Sequence, residues 1–106
     1  MILARVVGRA VSSRKDEKLL GTKLLLVEEV HPDGTGTGDL AVVADHLGAG
    51  QGDVVLVSQG SAARFTGPTK DLPLDAVVVG MVDAVRMNGR DTFIRSRGFE
   101  PTGLTW

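Results

Sequence analysis

Apolar residues in this chain come in short runs that glycines and charged clusters interrupt, a pattern that predicts strands rather than helices. In the first run, Ile2, Ala4, Val6, Gly8 and Ala10 fall on one face of a strand, and Leu3, Arg5, Val7, Arg9 and Val11 on the other. The second face is half charged, so it meets solvent or another subunit. "SSRKDEKLLGT" (Ser12 to Thr22) is polar and reads as a connection. "KLLLVEEV" (Lys23 to Val30) is a second strand: it is short for a helix, and Val27 and Val30 favour extended backbone. "HPDGTGTGD" (His31 to Asp39) opens with Pro-Asp-Gly and predicts a turn with a flexible tip. "LAVVAD" (Leu40 to Asp45), "DVVLVS" (Asp53 to Ser58) and the longer "DAVVVGMVDAV" (Asp75 to Val85) are the next three strands. Gly80 marks a bend or bulge in the last of them. Asn88-Gly89 is a strong hairpin signal, returning "TFIR" as a short sixth strand. "SRGFEPTGLTW" carries turn formers and reads as a tail.

Five main strands predict an all-β fold, a small five-stranded OB-like β-barrel with one or two short helical turns. Asp45 is placed to cap one such turn in "HLGAG", and Ser61 to cap another in "AARF".

A length of 106 residues predicts one domain that buries roughly 65% of its unfolded surface. Hydrophobic residues are 42% but aromatics only 4%, so Val, Leu and Ala must pack a thin core. Association with further copies would bury more apolar surface. Twelve Lys and Arg against thirteen Asp and Glu leave a net charge of −1, with no field to attract nucleic acid or an anionic membrane. Cysteine is absent, so disulfides and thiolate metal sites are excluded. Arg5 and Arg9 interrupt the apolar start, and no uncharged window nears the roughly 20 residues of a bilayer span. The expectation is a soluble, cytoplasmic protein.

The glycine clusters do not read as phosphate loops. "GAGQG" precedes a strand and Asp53 follows Gly52, where a P-loop needs lysine; "GTGTG" fails likewise. No G-x-S-x-G elbow surrounds Ser58 or Ser61, and Asp45 and His46 are adjacent, so their side chains diverge on a strand. His31 and His46 lack metal-site spacing. The sequence therefore predicts no catalytic residues, no cofactor and no metal. A single-stranded nucleic-acid-binding module is the alternative an OB-like barrel invites, but the first four strands carry no aromatic platform. A structural role remains for the glycine-rich stretch. Gly48, Gly50 and Gly52 allow positive φ or close backbone approach. Ser61, Ala62 and Ala63 form a small-residue turn that leaves room for a neighbour, and Arg64 offers a fork of donors across a contact.

"MILARVVGRAVSSRKDEKLLGTKLLLV", "DHLGAGQGDVVLVSQGSAAR" and "PLDAVVVGMVDAV" together resemble the EutN/CcmL family, the pentameric vertex proteins of bacterial microcompartments. The resemblance covers residues 1–95 as one shell domain and leaves residues 96–106 as a C-terminal tail, whose possible roles are an ordered extension, a partner contact or disorder. It implies a homopentamer capping the corners of an icosahedral shell, of carboxysome or metabolosome type, with hexameric and trimeric shell proteins as partners. It implies no catalysis. By the same pattern, Gly48, Gly50, Gly52, Ser61, Ala62, Ala63 and Arg64 are the expected subunit-packing positions.

Overall fold

A computed structural model describes residues 1–12, 21–60 and 76–100. Its elements are strands: β1 (Ile2–Arg9), β2 (Lys23–Val30), β3 (Gly36–Asp45), β4 (Val54–Gln59), β5 (Ala76–Met81), β6 (Ala84–Met87), β7 (Arg90–Ile94) and β8 (Gly98–Phe99). The first five close into a barrel in the order β1-β2-β3-β5-β4, and β4 returns to pair with β1. Among the described strands, only the β3–β5 contact is parallel. The last three strands form a separate sheet, order β6-β7-β8.

The barrel interior follows the period of two. Ala4 and Val6 of β1, Leu25 and Val27 of β2, Val43 of β3, Val55 and Val57 of β4 and Val78 of β5 are buried in one cluster. These small branched side chains fill a narrow barrel where aromatics would not fit. Ala49, fully buried, enters the same cluster from the loop before β4. A smaller cluster of Ala44 and Val77, with Leu24 and Val79, packs where β3 and β5 meet.

Three irregularities re-aim the strands of the barrel. β1 slips between Val6 and Gly8, so Gly8 pairs with Leu26 and Arg9 with Leu25. The extra residue at Val7 reverses the alternation, and Gly8 no longer shares a face with Val6 as a straight strand would require. A second slip lies between Glu28 and Val30. The third puts Leu56 opposite Gly80 and Val57 opposite Val78, leaving Val79 as the extra residue. The bend expected at Gly80 is therefore a bulge beside it.

Two strands differ in extent from the sequence expectation. β3 begins at Gly36, inside the stretch read as a turn, because Thr35 N–H donates to Asp33 Oδ1 at 2.8 Å in an Asx turn and the chain has already reversed. The run Asp75 to Val85 splits into β5 and β6, which belong to different sheets. The Asn88-Gly89 hairpin is as expected: both residues have positive φ, 54° and 78°, and Met87 faces Arg90 across the turn. Beyond it, β8 lies in the stretch read as a tail and pairs with β7, so residues 98 and 99 are an ordered extension. Phe99 stacks obliquely on buried Phe93, with ring centroids 4.8 Å apart.

Candidate subunit interface

The glycine-rich loop between β3 and β4 is held by side chains at its two ends and by backbone bonds to β1. The Asp45 carboxylate ends β3 and accepts from Leu47 N at 2.9 Å and Ala49 N at 2.8 Å. Lys23 Nζ donates to Ala49 O and lies 3.9 Å from Asp45 Oδ2. Asp53 repeats the device at the other end: its Oδ2 accepts from Gly50 N at 2.9 Å, while its own N–H returns to Gly50 O. Two backbone bonds, Gly52 N to Val6 O and Val6 N to Asp53 O, stitch the loop to β1. Gln51 Nε2 adds a bond to Val7 O at 3.2 Å.

Glycine is required at two of the three expected positions. Gly48 and Gly52 have φ of 84° and 85°; Gly50 does not have positive φ. Open space surrounds the Cβ position of all three. Asp45 caps this loop and not a helical turn: residues 46–50 form no helix, and the amides of Leu47 and Ala49 go to the Asp45 carboxylate. The second expected helical turn, with Ser61, Ala62, Ala63 and Arg64, lies outside the described residues.

The most apolar part of the barrel's exterior was not read as a contact from the sequence. Leu40 is 60% exposed and Val42 is 53% exposed, side by side on the outward face of β3. The signal was present in the alternation of "DLAVVAD", where Leu40 and Val42 share a face opposite Ala41 and Val43. The first half of β3 is also an open edge. It pairs with β2 from Gly36 onward, but among the described residues only Ala44 pairs on the β5 side. Every second backbone N–H and C=O of that half consequently faces outward.

A cavity of about 500 Å³ lies between the β2–β3 turn and the β6–β7 hairpin, lined by Asp33, Met87, Asn88, Arg90 and Thr92. Thr92 Oγ1 joins its two walls through bonds to Pro32 O and, at 3.3 Å, to Val85 O. The bond from Thr35 N holds the Asp33 carboxyl below the usual carboxylate range. Asp91, 2.8 Å from Arg86 Nε, holds that guanidinium's affinity for its proton above the ordinary value.

Among the described residues, no group of three or more His, Asp or Glu side chains converges, and no buried side-chain N or O atom lacks a partner. His31 and His46 are exposed, in the turns before and after β3. No helix of the described chain is long and apolar enough to cross a membrane. What the surface offers is an apolar face, an open strand edge and a rigid glycine loop.

Known proteins share this fold. Residues 1–83 match the family described as "Ethanolamine utilisation protein EutN/carboxysome". The carboxysome shell vertex protein CcmL of Thermosynechococcus vestitus is 43% identical over 94 residues, 89% of this chain and 92% of its own. The structure of Gloeobacter violaceus CcmL superimposes with a TM-score of 0.84 at 38% identity, covering 91% of this chain and 99% of that one. The GrpN pentameric microcompartment shell protein from Rhodospirillum rubrum superimposes with a TM-score of 0.74 at 44% identity, covering 82% and 99%. With the family model matched over residues 1–83 and its fold and most of its length shared with these shell proteins, this chain belongs to the EutN/CcmL family.

Proposed function

We infer that this chain is a structural shell protein that assembles as a cyclic pentamer and caps the vertices of an icosahedral bacterial microcompartment. The observation that carries this reading is the pair Leu40 and Val42, exposed together on the outward face of the closed barrel. Covering them in a permanent contact stabilises the assembly by roughly 2–3 kcal/mol per copy, given their partial burial already. The family relatives supply the geometry: a shell protein of matching fold forms a pentamer. A head-to-tail contact repeated by about 72° closes after five copies. A flat sheet of hexagonal tiles needs such fivefold units to close, so the partners are hexameric and trimeric shell proteins. The protein works in the cytoplasm, in the shell, and its role is mechanical and not catalytic.

Gly48, Gly50 and Gly52 are proposed to pack at the subunit boundary, where their open Cβ positions let a neighbouring backbone approach. Ser61, Ala62, Ala63 and Arg64 are proposed for the same boundary on the strength of the family pattern. Single-stranded nucleic acid is not favoured. Phe93 is buried and Phe99 packs against it, so among the described residues no aromatic ring stands free on the barrel to stack a base.

Native mass spectrometry tests the reading. The expected species is five times the 11.1 kDa chain mass. A protein that stays monomeric at every workable concentration overturns it. Ala63→Glu and Arg64→Ala are expected to weaken the ring, and an unchanged assembly mass by light scattering removes those two positions from the boundary.

A further inference from the structure

The pentamer reading leaves open which two surfaces meet, and a ring contact needs two different ones. Charge is segregated along this chain in a way that selects them. From Leu24 to Ala63 there is no Lys or Arg, but there are six acids: Glu28, Glu29, Asp33, Asp39, Asp45 and Asp53. From Ala84 to Glu100 there are four arginines and two acids. Several of these charges are already neutralised. Arg5 holds Glu28, Lys23 holds Asp45, Arg95 holds Asp53 and Arg86 holds Asp91. Among the described residues of these two segments, the acids Glu29, Asp33, Asp39 and Glu100 and the arginines Arg90 and Arg97 have no ion-pair partner, and Asp39 and Arg90 belong to this set.

Each of these two charges sits beside an exposed apolar side chain. Asp39 precedes Leu40 on the open half of β3. Arg90 faces Met87, 41% exposed, across the β6–β7 turn, and both line the 500 Å³ cavity. Leu40 cannot reach that cavity in its own chain. It lies four residues along an extended strand from Gly36, about 13 Å beyond the turn that forms the cavity wall. A knob with a neighbouring acid and a socket whose lining carries Arg90 as well as Asp33 therefore stand on one chain, held apart by its fold.

We propose that Leu40 of one copy seats in the Asp33–Met87–Arg90 cavity of the next, against Met87, with Asp39 opposite Arg90. The inference rests on the ring reading and specifies its contact. The β6–β7 arm then covers both the apolar face and the open edge of the neighbour's β3, the two exposed features that an isolated copy cannot satisfy. The two surfaces differ, so the contact propagates head to tail and does not close as a two-fold dimer.

The absence of cysteine makes the test direct. Leu40→Cys combined with Met87→Cys, treated with a short bismaleimide, should give a ladder of covalent species reaching five copies on a denaturing gel. Each single variant should remain one chain. A ladder supports the contact. An assembly of five by native mass spectrometry that yields no ladder overturns this contact and leaves the ring standing. A wild-type chain that is monomeric under the same conditions overturns the ring itself. A second pair of variants is independent of the cross-linker. Asp39→Arg should reduce the assembled fraction at least tenfold, and adding Arg90→Asp should restore it. An intact ring in Asp39→Arg, or no recovery in the double variant, overturns the pairing.

Discussion

Lys23 and Asp45 stand directly opposite one another across the β2–β3 ladder, and the Asp45 carboxylate beneath that lysine is fully buried. The pair fastens the end of β3 to the glycine loop, because the same carboxylate takes two loop amides and the same ammonium takes Ala49 O. A charged group with no solvent contact is tolerated here because its acceptor sites are filled and a cation is near.

Asp45→Ala should consequently cost about 3 kcal/mol, since it leaves two amides without their acceptor and Lys23 without its counter-charge. Asp45→Asn keeps one acceptor oxygen and should cost less. Urea denaturation of both variants checks this. Equal midpoints for Asp45→Ala and wild type would remove the loop anchor from the account.

The three loop glycines should separate by backbone and not by space. Gly52→Ala forces an L-residue to φ 85° and should cost about 1 kcal/mol, although nothing lies within 4 Å of its new Cβ. Gly50→Ala meets neither strain nor contact and should stay within about 0.5 kcal/mol of wild type in folding stability. The difference between the two melting curves is the measurement. A ring that fails only in Gly50→Ala would show that the open space at Gly50 belongs to a neighbour.

Phe99 should report the tie between the second sheet and the barrel. A Cβ at Gly34 would come within 2.7 Å of Phe99 Cγ, and Gly34 also has φ of 93°. Gly34→Ala should therefore displace Phe99, and Phe99→Ala should cost about 2 kcal/mol, less than a fully buried Phe because Phe99 is only partly buried. Hydrogen exchange at Phe93 and Ile94 would follow the loss. Unchanged protection in both variants contradicts the tie.

Gly80→Val tests the β5 bulge. Even a methyl there touches Leu56 Cδ1 at 3.4 Å, and two further carbons press the side chain opposite it in the ladder. A loss of about 1–2 kcal/mol is expected. Soluble yield and melting temperature equal to wild type would mean that the corner tolerates a branched residue.

Asp33 predicts a small acid-limb effect. Its carboxyl is held below the ordinary 3.8 by the Thr35 amide, so its stabilisation is present above 3.8 and fades as pH falls through the folded value. Asp33→Asn, which keeps an acceptor for Thr35 N but not the charge, should flatten stability against pH below 4, lying slightly below wild type at pH 7 and converging with it in acid. Parallel acid titrations that overlay would refute the linkage.

The sequence by itself determined the strands. Apolar side chains at alternate positions, glycine and Asx turns between them, and too few aromatics for a wide core leave a small barrel as the economical solution. Asn88-Gly89 specified its hairpin because only such residues take two successive positive φ values at low cost. Gly48 and Gly52 were legible for the same local reason. Tertiary structure alone decided what depends on register and distance. One extra residue at Val7 reversed the outer half of β1, and a bulge leaves no mark on a binary pattern. The division of 75–85 between two sheets, and the placing of Phe99 over Gly34, required partners remote in sequence. The alternation that puts Leu40 and Val42 on one face is in the sequence, but their exposure depends on how little of β3 the parallel strand β5 covers. That coverage is a property of the closed barrel and of no single segment.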